Sequence, residues 1–149
     1  MPTFKSLKEV ENAILQGSQT AVEVAQEKVF NSLHKYLSFY YAEYTPVEYK
    51  RTWQLFHSLV QSGIKTSKVG AKGVFAEVYF DSSSLNYRGL SANDNWSEKA
   101  VLDTALNKGL HGGYERFKGT AVWECGKKEM GDIRGLLRMA LIDAGIPIR

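Results

Sequence analysis

The chain is poor in the residues that usually announce chemistry. It has one cysteine, Cys125, and three histidines, His34, His57 and His111. A single cysteine cannot close an internal disulfide, and a lone thiol fits a reducing compartment. The histidines are too far apart in sequence to form a local ligand set, and neither H-E-x-x-H nor paired C-x-x-C occurs. The expectation is therefore no metal and no cofactor. Phosphate-cradling patterns are also missing, both G-x-x-x-x-G-K-[ST] and G-x-G-x-x-G. His111, Gly112 and Gly113 have the look of an oxyanion loop, in which backbone N–H groups hold a negative oxygen. No G-x-S-x-G accompanies them, so glycines that permit a tight backbone path are the simpler reading. A pairing of Cys125 with a histidine as nucleophile and base has no motif behind it. The expectation is a protein without enzymatic activity.

Two further absences bound the surroundings. No run of about 18 or more apolar residues and no basic-then-apolar leader is visible, which predicts no membrane contact and a cytosolic start. There is also no basic stretch. The formal charge of +3 is spread along the chain: residues 1–60 carry six Lys/Arg and six Glu, residues 61–125 eight basic against seven acidic, and residues 126–149 five against three. Such an even spread argues against direct nucleic acid contact. The alternative, a small nucleic-acid-binding protein, would need Lys50, Arg51, Lys65, Lys68 and Lys72 gathered on one face. Lys50 and Arg51 beside Trp53 could clamp a phosphate and stack a base. A basic pair snorkelling beside a buried indole, partly neutralised by Glu43 and Glu48, is the commoner arrangement.

What is present is architecture. At 149 residues, 44% hydrophobic and 23% charged, the chain has the size and composition of one folded domain. The expected arrangement is a single domain over 1–149, with 1–18 a separate or bent helical segment. Ser6 and Glu9 have capping-box spacing, and Leu7, Val10, Ile14, Ala21, Ala25, Val29, Leu33, Tyr36 and Tyr40 follow at three- and four-residue steps. This predicts a long amino-terminal helix that Gly17 and Ser18 weaken. Its end is aromatic, with Tyr36, Phe39, Tyr40, Tyr41 and Tyr44. These rings either cover the core or offer a surface to a partner.

Thr45 and Glu48, with Pro46 at the first helical position, predict a second helix start. Helix should give way to strand between Arg51 and Ser58. Leu59 to Thr66 and Val74 to Phe80 read as strands, and the two glycines of KVGAKG between them make an antiparallel hairpin. Asp81 to Asn95 is a polar loop, with a short strand near Leu85 to Tyr87. A helix follows from Trp96 to about Lys108, closed by Gly109, and LHGGYERFKGT is a glycine-rich link. The last helix is expected from about Lys127 to Ala144, with Gly145 at its C′ position and Pro147 beyond. The fold class is α+β: a long amino-terminal helix, a small antiparallel sheet with a hairpin, and two carboxy-terminal helices.

This order of elements resembles the tail-component or tail-completion family of long-tailed bacteriophages, whose members form part of the neck between head and tail. The residues that carry the resemblance are Tyr49, Arg51, Thr52, Leu55 and Ser58 in YKRTWQLFHS, and more loosely LDTALNKGLHGG and the ending LLRMALIDAGIPI. The family's pattern has glycine where this chain has Trp53. The resemblance implies a non-enzymatic virion protein that forms a cyclic homo-oligomer and contacts neighbouring neck or tail proteins. It would assemble in the host cytoplasm and end in the virion. Interface candidates are then the aromatic helix end (Tyr40, Tyr41, Tyr44), the polar loop (Tyr87, Arg88), the glycine-rich link (His111, Gly112, Gly113) and the last residues (Ile148, Arg149). A cyclic assembly uses two different faces of each copy.

Overall fold

The computed structural model describes residues 4–43, 45, 53–67, 73–85, 99, 102–109, 119–146 and 148. The expected α+β class is the observed one. In order, the elements are α1 (Leu7–Ala42), α2 (Gln54–His57), β1 (Leu59–Gln61), β2 (Lys65–Ser67), β3 (Gly73–Phe75) and β4 (Val78–Phe80). A 3-10 turn (Ser82–Ser84), a π-helical segment (Asp103–Asn107), α3 (Val122–Met130) and α4 (Ile133–Asp143) follow. The chain forms two compact units. The first comprises Met1–Val29, Gln61–Val78 and Gly131–Arg149, and the second Phe30–Val60 and Tyr79–Met130.

In the first unit, α1 starts where the capping residues predict. Ser6 Oγ accepts the Glu9 N–H at 3.2 Å, and Glu9 Oε2 reaches back to the Lys5 N–H at 2.7 Å. The first bond satisfies a donor that the helix leaves open, and the second ties down the residue before the cap. The weak point expected at Gly17 and Ser18 does not interrupt the helix, which runs unbroken for 36 residues. Tertiary packing overrides propensity there. Gly17 is buried, and a Cβ on it would lie 2.5 Å from Ile146 Cδ1 and 3.1 Å from Ala144 Cβ, so the missing side chain makes room for the end of α4.

The expected hairpin is present, but as two short ladders rather than one. β2 and β3 pair antiparallel, with Lys65 opposite Phe75, Thr66 opposite Val74 and Ser67 opposite Gly73, while β1 pairs with β4. Between the ladders the Ser62 N–H still donates to the Glu77 carbonyl at 2.9 Å. The return bond is made by a side chain, since the Glu77 N–H donates to Ser62 Oγ at 2.8 Å. Gln26 of α1 donates from Nε2 to the carbonyls of Ser62 and Glu77 at 2.8 and 2.9 Å.

The last helix, expected unbroken from Lys127, is instead α3 and α4. Gly131 has φ +64°, a left-handed conformation that ends α3, and Asp132 is extended at the N-cap position of α4, without a side-chain capping bond. The physical reason is local: glycine adopts that φ without strain, and a carboxylate suits a helix amino terminus. The predicted stop after α4 holds. Gly145 has φ +81°, its N–H donates to the Ile142 carbonyl at 2.8 Å, and the Ile146 N–H donates to the Leu141 carbonyl at 3.0 Å. These are the two bonds of a Schellman motif.

The second unit holds most of the large buried side chains: Leu33, Leu37, Leu55, Leu59, Leu85, Leu106 and Val122. α3 packs against the π-helical segment and approaches α1 at Gly126, where a Cβ would lie 2.7 Å from Leu33 Cδ2. Helix gives way to strand at Ser58, at the far end of the predicted interval, and the fully buried Ser58 hydroxyl donates to the Leu55 carbonyl at 2.8 Å. Asp81 caps the 3-10 turn by accepting from the Ser83 N–H at 3.0 Å. Gly109 closes the π-helical segment with φ +65°. The helix start at Pro46 and the strand to Tyr87 fall outside the described residues.

Candidate assembly surface

The amino-terminal turns of α1 carry an apolar row that begins exposed among the described residues. Leu7, Val10, Ile14, Gly17 and Ala21 follow alternating steps of three and four residues, which places them on one helix face. The row begins exposed and ends buried: Leu7 is 76% and Ile14 48% exposed, Val10 is half-buried, and Gly17 and Ala21 are buried. Ile146 and Ala144 cover the row at Gly17. The same unit exposes Leu15, Val24, Phe75, Met139 and Ile142. Exposed single apolar residues are ordinary, but a row continuous with a packed face is a feature of surfaces that are covered in an assembly.

The second unit presents aromatic rings. Tyr41 and Trp53 stack with centroids 4.6 Å apart and planes at 17°, and Phe56 meets both edge-on at 5.8 and 5.9 Å. His34 continues the array, 4.5 Å from Phe56 and 5.6 Å from Phe30. A shallow cavity of about 480 Å³ beside these rings is lined by Ser38, Tyr41, Ala42, Thr45, Trp53 and Phe56. Trp53 has φ +61°, in the left-handed region, which a bulky residue seldom adopts. Glu43 accepts from the Thr120 N–H and hydroxyl, each at 2.6 Å, one residue before the cap of α3. The Gly119 N–H donates to the Gly109 carbonyl at 2.8 Å.

Of the interface candidates read from the sequence, three lie among the described residues. Tyr40 and Tyr41 are buried, at 7% and 8% exposure, so at these two positions the aromatic helix end covers the core. The exposed ring at that end is Phe39. Ile148 is half-buried. Tyr44, Tyr87, Arg88, His111, Gly112, Gly113 and Arg149 lie outside the described residues. Sequence reasoning placed Leu7, Val10 and Ile14 on the helix face but did not single them out. The signal was available, since the apolar steps continue to the very start of α1.

The ion pairs among the described residues lie at the surface. Lys35 Nζ lies 3.0 Å from Glu129 Oε1, and that hydrogen bond raises the ammonium above its ordinary pKa. Asp103 accepts from Asn107 Nδ2 at 2.8 Å, which, with Lys108 nearby, holds its carboxyl below the usual range. Both are solvent-exposed pairs of small energetic weight. Among the described residues no three His, Cys, Asp or Glu side chains gather as a metal site, and no helix is long and apolar enough to cross a membrane.

Fold and surface together define an α+β protein whose distinctive features, among the described residues, are a partly exposed helix row and an array of stacked rings. A model of the YomN family matches residues 6–144, and the chain belongs to that family. Comparisons with curated proteins and with solved structures give no match.

Proposed function

We propose that the chain is a structural virion protein of the phage head–tail neck or tail end, serving tail completion or head–tail joining. It acts by forming a ring with copies of itself and by contacting neighbouring neck or tail proteins, is assembled in the host cytoplasm and is carried into the virion. Membership of the YomN family and the likeness of YKRTWQLFHS to tail-completion proteins support this reading. The observation that carries it is the Leu7, Val10, Ile14 row, which continues a packed face into solvent. Fully burying one such side chain is worth about 1.5–3 kcal/mol, so a second copy laid over the row gains from contacts that the monomer leaves unused. Three side chains make a small patch, which predicts weak, concentration-driven association strengthened by ring closure.

The test is the mass of the purified chain by light scattering across concentration and salt, with and without a short oligonucleotide. A ring-sized species that grows with concentration and ignores the oligonucleotide is the expected result. A monomer that binds the oligonucleotide and releases it with salt would contradict the proposal in favour of a nucleic-acid-binding protein.

A further inference from the structure

The break in the hairpin has the form of a hinge, and Gln26 has the form of its latch. At Ser62 the strand carbonyl turns away from its cross-strand partner toward α1, and the serine hydroxyl takes its place by accepting the Glu77 N–H at 2.8 Å. The freed Ser62 carbonyl accepts from Gln26 Nε2, as does the Glu77 carbonyl. A primary amide suits this position because its two N–H groups leave one nitrogen at a fixed angle and can meet two carbonyls at once. Gln26 is itself buried at 9% exposure, so its bonds are shielded from competing water. Beyond the break the character of the hairpin changes. β2 and β3 have no fully buried residue, and among the described elements they pack chiefly on each other. A three-pair ribbon of this kind has little independent stability.

We propose that Gln26 latches the outer half of the hairpin to α1, and that Ser62–Ile64 and Ala76–Glu77 form a hinge about which β2 and β3 swing together as an arm when the latch opens. Opening breaks the two Gln26 bonds, and the released three-pair ribbon, with little stability of its own, then opens its ladder as one unit, which exposes the amides of β2 and β3. The inference does not depend on what the protein assembles with.

Residue-resolved amide hydrogen exchange on the full chain tests it. In the wild-type chain the amides of β2 and β3 should share one opening equilibrium, more frequent than that of α1. Gln26→Leu removes both donors at nearly the same length, and Gln26→Glu replaces them with a carboxylate facing two carbonyl oxygens. Both should accelerate exchange in β2 and β3 by about tenfold or more, Gln26→Glu the more strongly, with α3 unchanged. Unchanged exchange in β2 and β3 in both variants would overturn the proposal. So would acceleration of equal size in α3, which would make Gln26 a global stabiliser, or unrelated opening equilibria within the wild-type β2 and β3.

Discussion

The two units use one helix in opposite ways. Where α1 passes through the second unit it contributes bulk: Leu33, Leu37, Tyr40 and Tyr41 are buried. Where it passes through the first unit it contributes absence: its buried positions are Gly17, Ala21, Ala25 and Gln26, three small residues and one amide. Small residues permit close approach but bury little apolar area, so this part of the structure draws less on the hydrophobic effect. Large apolar side chains are present in the first unit, but Leu7, Ile14, Val24, Met139 and Ile142 lie substantially exposed. Exposed apolar side chains in the second unit are chiefly aromatic, Phe39, Trp53, Tyr79 and Trp123, whereas in the first they are mostly aliphatic and sit beside a core of small residues.

The sharpest way to break this contrast is truncation. Leu37→Ala, at a position with 0% exposure, should lower unfolding stability by about 2–5 kcal/mol in urea titration, whereas Val24→Ala should change it by less than about 0.5 kcal/mol. Equal effects would erase the distinction between the units.

The two close glycine contacts sharpen it further. Gly126→Ala forces a methyl against Leu33, a fully buried side chain without room to turn, and should destabilise by about 1–3 kcal/mol. Gly17→Ala meets the end of Ile146, which is only half-buried, and gains about 1 kcal/mol of helix propensity, so its net effect should be close to zero in the same titration. Gly131→Ala separates backbone strain from crowding. No atom of the described residues lies within 4 Å of the added Cβ, yet φ is +64°, and a loss of about 1 kcal/mol is expected in thermal melts.

The smallest effect is electrostatic. The carboxyl of Asp103 is held below its ordinary pKa of 3.8 by Asn107 and then Lys108, so the stability it contributes is present above that value and is lost as pH falls through the lowered one. Asp103→Asn should remove that part of the acid dependence and leave stability at neutral pH almost unchanged, as followed by pH-dependent melting.

Much of this molecule is written in short-range signals. The Ser6 and Glu9 spacing, the hairpin pair and the Gly145 stop are each set within a few residues, and each forms as its chemistry predicts. Two features depend on distant residues and could not be read locally. Gly17 looks like a helix weakness until Ile146 is seen against it, and Gln26 looks like a solvated helix residue until Ser62 and Glu77 turn their carbonyls toward it. Gly131 sits inside an apolar period that continues on both sides, and the period masks the glycine–aspartate break. The surface was the least legible part. Aromatic residues at the end of α1 suited either core or interface, and Tyr40 and Tyr41 are drawn into the core, while Leu7 and Ile14 at the other end are exposed.

The central claim is that this row is covered by another copy of the chain. Light scattering of the wild-type chain beside Leu7→Glu/Ile14→Glu, at matched concentrations and with helicity checked by circular dichroism, tests it most directly. The account predicts that the wild-type chain forms a ring-sized species and that the double variant stays monomeric with unchanged helix content. A variant that assembles as the wild-type chain does would contradict it.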